Sequence, residues 1–453
     1  MQIIVVGCGN VGTTLAEQLS REGHDITVID VKSEAVSNVY NNFDIMGMVG
    51  NGASHSIQKE AGIEEADLLI AVTGSDELNL LCCLIAKKAG DCHTIARVRN
   101  PVYSREIGFI KEELGLSMVI NPEDAAAMEM VRVLKFPSAI KIDTFSKGKV
   151  EMVKYKIEDG SDLCNHSLKS ISEKMKCNVL ICVVERGDEV FIPDGNFILR
   201  AKDEISVVGS TKNTMLFFKK LGVPTTRAKD VFIVGGGETS YYLMSQLIAM
   251  GIDVKIVEKD KQRCAMLSEL FPQAMIIWGD GTDRDLLLEE GMPQAGAFVA
   301  LTNFDEENIM LSLFARSVSK AKLITRVHRI KYDEIIEELN LGTVIYPKYI
   351  TSEMIIQYVR GMQNSIGSNV ETLYRLDNNQ VEVLEFKVRE ISPVVGTTLH
   401  DLKLKPNILL CCINHMGNII TPSGQTRIMV GDTVILATTI TGLQDIKDIL
   451  AMH

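Results

Sequence analysis

Part of this chain is written twice. Residues 3–12, Ile-Ile-Val-Val-Gly-Cys-Gly-Asn-Val-Gly, recur at 231–240 as Val-Phe-Ile-Val-Gly-Gly-Gly-Glu-Thr-Ser, an offset of 228. At the same offset, Asp30 closes one apolar run and Glu258 closes its counterpart. After a one-residue insertion the match continues: Gly50-Asn51-Gly52 meets Gly279-Asp280-Gly281, and the segment 71–77 meets 300–306. Ala96-Arg97-Val98 then meets Thr325-Arg326-Val327. A weaker echo follows each block, with Pro193-Asp194-Gly195 and 201–207 matched by Pro422-Ser423-Gly424 and 430–436. A duplication of this length constrains the fold more than any single motif, because each copy must build the same unit.

The first part of each unit alternates strand and helix. Gln2–Val6 is a continuous apolar run, as expected of a strand buried on both faces of a parallel sheet. Asn10–Glu22 has helical spacing, with Val11, Leu15 and Leu19 on one stripe, and stops before Gly23. Further strands are expected at Ile26–Ile29, Ile45–Val49, Leu68–Val72 and Thr94–Val98, with helices at Ser54–Ala61 and Glu77–Lys88. That alternation predicts a Rossmann-like, doubly wound parallel α/β sheet. A connecting helix at Glu123–Leu134, with Met128, Val131 and Leu134 as its apolar positions, should leave the sheet; Tyr349–Arg360 is its counterpart. A small β-rich α+β lobe follows, with strands at Val150–Ile157, Val179–Glu185 and Glu204–Val208 and a helix near Ser167–Met175. The expected segments are 1–121, 122–223, 228–347 and 348–453, with a hinge at Val223-Pro224-Thr225-Thr226.

Composition excludes several functions. Of 453 residues, 46% are hydrophobic, which is ample for several cores and rules out a disordered chain. Lys and Arg number 47 against 59 Asp and Glu, a net charge of −12, so a surface built to track nucleic-acid phosphates is not expected. The apolar runs are strand-sized and no basic leader precedes the first strand, so the expectation is a cytoplasmic chain. Ten cysteines without a Cys-x-x-Cys spacing fit buried, reduced thiols better than zinc or disulfides.

Gly7-Cys8-Gly9-Asn10-Val11-Gly12 is a complete Gly-x-Gly-x-x-Gly between a strand and a helix, the arrangement that brings backbone amides and a helix N-terminus to a pyrophosphate. Asp30, 18 residues beyond Gly12, would accept hydrogen bonds from the ribose hydroxyls and repel a 2′-phosphate, which favours NAD(H) or a simple adenine nucleotide over NADP. Thr73-Gly74 and Thr302-Asn303 end the fourth strands on the ligand side. Arg97 and Arg326 sit at matched places near the same edge, open to pairing with phosphate, with a partner's acid, or with neither. Asp76-Glu77 and Asp305-Glu306 read as helix N-caps. In the second copy, Ser240 replaces the third glycine and Glu238 places a carboxylate near the phosphate position. That copy is open to a mononucleotide or to a purely structural role. No Tyr-x-x-x-Lys, no His-Glu-x-x-His and no Gly-x-Ser-x-Gly occurs, and the eight histidines are scattered, so neither catalytic nor metal-binding residues are expected.

These residues resemble the RCK (regulator of potassium conductance, or KTN) family. The Gly7–Gly12 turn, Asp30, the segment 71–77 with Asn79 and Ala96-Arg97-Val98-Arg99 are similar to an RCK nucleotide domain, and the β-rich unit is similar to the RCK-C lobe. The tandem form over the whole chain resembles the TrkA group of cytosolic NAD-binding regulatory subunits. The resemblance implies a homotetrameric ring on the cytoplasmic face of the membrane. It would dock on a potassium-translocating subunit of the TrkH/TrkG type and switch on NAD(H), ATP or ADP. It implies a first site of Gly7, Cys8, Gly9, Asn10, Val11, Asp30, Thr73, Gly74 and Arg97. A second would use Gly235, Gly236, Gly237, Glu238, Thr239, Glu258, Asn303 and Arg326. An NAD-dependent oxidoreductase, or a regulator of another cation transporter or antiporter, is the alternative.

Overall fold

Burial of β1 (Gln2–Val6) from Ile3 onward explains the position it takes in its sheet. It pairs in parallel with β2 (Asp25–Asp30) on one side, and on the other with the fourth strand, Leu68–Ala71. With β3 (Met46–Val49), β4 (Leu68–Ala71), β5 (His93–Arg97) and β6 (Met118–Ile120), the order is β3-β2-β1-β4-β5-β6, parallel throughout. The order reverses between β1 and β4, and the crevice beyond the strand ends at that point is where such sheets bind ligands. The computed structural model describes residues 1–135, 140–187, 189–223, 228–328, 336, 339–365, 369–376 and 380–451. Pro224, Thr225 and Thr226 of the expected hinge lie outside them.

The second copy repeats this sheet strand for strand, from Asp230–Val234 to Thr343–Ile345, in the same order. Register repeats too: Ile3 pairs with Ile26 and Leu68, and Val231 with Val254 and Ala297. The sixth strands, three residues each, were not expected from sequence. The two sheet domains fall in one compact unit, Met1–Leu134 with Ala228–Ile356. The β-rich lobes form a second, Lys135–Arg227 with Gln357–His453.

Within the first unit, the connecting helix does more than leave its sheet. Pro122–Lys135 buries Ala126, Ala127, Met130, Val131 and Leu134 in one cluster with Val231, Ile233, Leu243, Leu247 and Ile256 of the second copy. One copy's helix thus covers the other copy's sheet. Met128, expected on the apolar stripe, is 36% exposed, and Met130 takes its place inside. The seam is also hydrogen-bonded: Tyr242 Oη contacts Arg99 O at 2.8 Å and Ser104 Oγ at 2.9 Å, and Arg105 Nη2 donates to Tyr241 Oη at 2.9 Å.

In the second unit each lobe is a five-stranded antiparallel sheet. Lys141–Phe145, Glu189–Phe191 and the helix Thr211–Lys220 add to the expected elements of the first lobe. Phe145, Val150, Met152, Cys182 and Val183 of one lobe share a core with Val381, Val383, Cys411, Cys412 and Ile435 of the other. Buried Glu385 accepts from Ser146 N at 3.0 Å and Ser146 Oγ at 2.9 Å across that contact. The duplication shows in a matched pair: Arg186 grips buried Asp203 through two bonds, and His415 Nδ1 lies 2.6 Å from buried Asp432. All ten cysteines are free thiols. No helix among the described residues is long and apolar enough to cross a membrane.

Glu123, in the first turn of Pro122–Lys135, is half-buried with its Oε2 sealed from solvent. Burial pushes its carboxyl above the usual range, against the pull of Arg99, Arg97 and Arg326. A carboxyl raised in the folded state contributes stability that is fully present below its unfolded pKa of about 4.3 and lost as pH rises through the folded value. Glu123→Gln removes that loss, so its thermal midpoint relative to the parent should be more favourable at pH 7.5 than at pH 4.5. An equal or reversed difference would contradict the assignment. Met130→Ala, which empties part of the shared core, should cost about 2–5 kcal/mol by denaturant unfolding.

Candidate functional site

The first cleft is built on the glycine turn. Gly7 has φ +105°, which side-chain-bearing residues rarely adopt, and a Cβ there would stand 3.0 Å from Thr73 N. A Cβ on Gly12 would fall 1.8 Å from Gly7 O, so the third glycine is fixed by contact between helix and strand. Gly9 caps the helix Asn10–Arg21, and nothing lies within 4 Å of where its Cβ would be. The first helical turn carries no acid. Its amides are therefore open to an anion.

Asp30 ends β2 and clasps the turn. Its Oδ2 accepts from Cys8 N at 2.7 Å and its Oδ1 from Lys32 N at 2.9 Å. An ionised carboxylate has about four acceptor positions, so about two remain for ribose hydroxyls. Burial, with the charge of Asp30 added, pushes the Cys8 thiol up to about 12, which keeps it protonated.

Asn79 organises the opposite wall. Fully buried, it accepts from Thr73 N at 2.8 Å and Thr73 Oγ1 at 2.7 Å and donates to Arg97 O at 2.9 Å, tying the end of β4 to that of β5. Asn308 repeats these backbone bonds with Thr302 and Arg326. Arg97 donates through Nη2 to Thr73 O. Asp76 is not the helix cap: Ser75 Oγ accepts from Leu78 N at 3.2 Å, while Asp76 Oδ2 accepts from Arg99 N and Asn100 N, each at 2.8 Å. Asp305 likewise holds His328 N at 2.8 Å.

All nine residues expected at the first site line one cleft of about 510 Å³, joined by Lys32, Asn51 and His328. His328 comes from the second copy and brings that domain into the first domain's cleft. Its counterpart Arg99 is turned to Gly74 O, at 2.6 Å.

The second cleft is smaller, about 150 Å³. Gly235, Gly236, Gly237, Glu258 and Asn303 line it; Glu238, Thr239 and Arg326 do not. Arg326 is held at Thr302 O (3.0 Å) and Thr239 Oγ1 (3.1 Å). The clasp is preserved, with Glu258 accepting from Gly236 N at 2.6 Å and Asp260 N at 2.7 Å. A Cβ on Gly236 would lie 2.9 Å from Glu258 Oε2, so the longer acid goes with glycine where the first copy has Asp30 and Cys8. Ser240 donates its hydroxyl to Gly235 O. Arg263, unmarked in the sequence, donates from Nε to Gly236 O at 2.5 Å and brings Nη1 to 3.5 Å from Glu238 Oε1.

The TrkA-N domain model matches residues 3–122 and 231–347, and the TrkA-C domain model matches 152–222 and 383–451. The Trk system potassium uptake protein TrkA homolog 1 of Methanosarcina mazei is 30% identical over 445 residues, covering 96% of this chain and 97% of that protein. TrkA of Haemophilus influenzae is 29% identical, covering 96% and 95%. Among solved structures, a GsuK channel bound to NAD superposes with a TM-score of 0.65 at 16% identity, over 96% of this chain and 76% of that one. Two domain types matched twice in alternation, and relatives aligned nearly end to end, show that this chain belongs to the TrkA family.

Proposed function

We propose that the chain is a nucleotide-sensing regulatory subunit of a potassium uptake system. The first cleft binds NAD(H), or ATP or ADP in its place, and the bound ligand controls flux through a membrane-embedded potassium-translocating subunit of the TrkH/TrkG type. The observation that carries this reading is the convergence of nine residues on one cleft, with an uncapped helix N-terminus and unspent acceptor positions on Asp30. GsuK structures are described as bound to NAD and to ADP, the two ligand classes this cleft would take. The segments 1–121 and 228–347 act as the nucleotide domains, and 122–223 and 348–453 as connecting helix plus lobe. Four copies form a ring held at the cytoplasmic face of the membrane by that partner. In this reading the chain binds nucleotide without turning it over.

A ligand moves such an assembly only by binding one state better than the other. Shifting a gate from 1:99 to 99:1 takes about 5.5 kcal/mol, or about 1.4 kcal/mol for each of four sites, roughly one charge-assisted hydrogen bond. Modest discrimination between ligands is enough.

Asp30→Ala should weaken NADH binding about tenfold to a hundredfold by calorimetry, through loss of bonds worth ~1.5–3 kcal/mol. Unchanged affinity in a folded variant would remove Asp30 from the site. For the regulatory reading, potassium flux through the copurified membrane partner is measured with ATP, ADP and NADH in turn. Equal flux with each ligand shown to be bound would overturn it.

A further inference from the structure

The two clefts differ most at one pair of positions. In the first copy the helix after the turn opens with Asn10, and its neighbour across the cleft is Ala35, on the helix Ser33–Asn42. At the same offset of 228 the second copy has Glu238 and Arg263. The Arg263 guanidinium reaches from the helix Lys261–Leu270 over the glycine turn, bonding Gly236 O and approaching Glu238. Arg263 Nη2 and Glu238 Oε2 are both sealed from solvent without a hydrogen-bond partner. The pair is therefore imperfectly satisfied: a cation with an unused donor, and beside it an acid with an unused acceptor, at the mouth of an anion-binding helix N-terminus. Glu238 and Arg263 stand outside the lining of the second cleft, beside its glycine turn; Lys259, which lines it where the first copy has Val31, adds a second cation 5.7 Å from the Phe304 ring.

We propose that Arg263 is the phosphate-binding cation of the second cleft and that Glu238 is a built-in competitor, holding Arg263 until the phosphate of a nucleoside diphosphate displaces it. The proposal rests on the nucleotide reading given above and extends it to this cleft. The forked guanidinium suits a terminal phosphate, which can accept two parallel N–H bonds. Displaced from Arg263, the Glu238 side chain can turn to solvent, since it is 42% exposed. The second cleft, about 150 Å³ against about 510 Å³ for the first, suits the shorter ligand better.

The test uses the full chain carrying Asp30→Ala, so that the first cleft contributes little, and titrates ADP and NADH by calorimetry. Glu238→Asn, which restores the first copy's residue, should raise ADP affinity about fivefold to thirtyfold and leave NADH weak. Arg263→Ala should abolish that gain: with Arg263 gone, Glu238→Asn changes ADP affinity by less than twofold. Arg263→Lys, which keeps the charge but not the fork, should recover part of it. Thermal unfolding confirms that each variant is folded. A gain from Glu238→Asn that persists at full size in Arg263→Ala would mean simple repulsion from the turn, and would overturn the competitor role. So would the absence of any ADP response in Glu238→Asn while the chain with Asp30 intact binds nucleotide. If that parent binds no nucleotide at all, the broader reading fails first.

Discussion

A parallel sheet must be covered on both faces, and here one of those covers crosses between copies. Once the helix Pro122–Lys135 packs on the second sheet, the second sheet domain is not complete without the first copy. Ala126 and Ala127, both fully buried, belong to the same cluster as Val231 and Ile233. The crossing also accounts for the bonds from Tyr241 and Tyr242 to Arg105, Arg99 and Ser104, which hold the loops after β5 against the second domain. His328 reaches the first cleft through the same seam. Packing and ligand site are thus one arrangement.

Within each copy the decisive contact is the acid at the end of the second strand, bonded to the amide of the glycine turn. Asp30 and Glu258 make the same bond with side chains of different length, and the difference is absorbed at the next position, Cys8 against Gly236. Gly12 against Ser240 is handled in another way. In the first copy no Cβ fits against Gly7 O, whereas in the second a hydroxyl stands there and uses that carbonyl as its acceptor. A sequence reader sees Ser240 as a broken motif. The backbone path it belongs to is intact, with Gly235 at φ +102°.

That contrast marks the limit of what sequence could tell. The duplication, the five main strands, the nine residues of the first cleft and the paired lobes were legible, because they are set by apolar periodicity and by glycines whose spacing is local. The sixth strands were not, being three residues long with no pattern to separate them from a loop. Met130 was passed over for Met128 because the helix is apolar on more than one stripe, and only the second copy's sheet decides which stripe is inside. The capping role given to Asp76 was wrong for a similar reason. Its carboxylate is used by Arg99 N and Asn100 N, more than twenty residues away, and no local rule reports such a bond.

Arg263 and His328 were invisible for the same reason, and together they make the two clefts unequal. Each acts on a turn that lies elsewhere in the chain. His328 ties the first cleft to the placement of the second domain. The cleft that runs from Asp30 past the turn to Arg97 therefore borders the seam as well as its own domain. Arg263 ties the second cleft to itself, spending the local cation on a local acid. Duplication supplied two copies of one glycine turn, and two side chains per copy give them different charge. A difference of charge at positions 10 and 35 against 238 and 263 is a small edit in sequence. At a helix N-terminus, where the backbone already concentrates positive potential, at these positions it sets an acid and a cation beside one turn and neither beside the other.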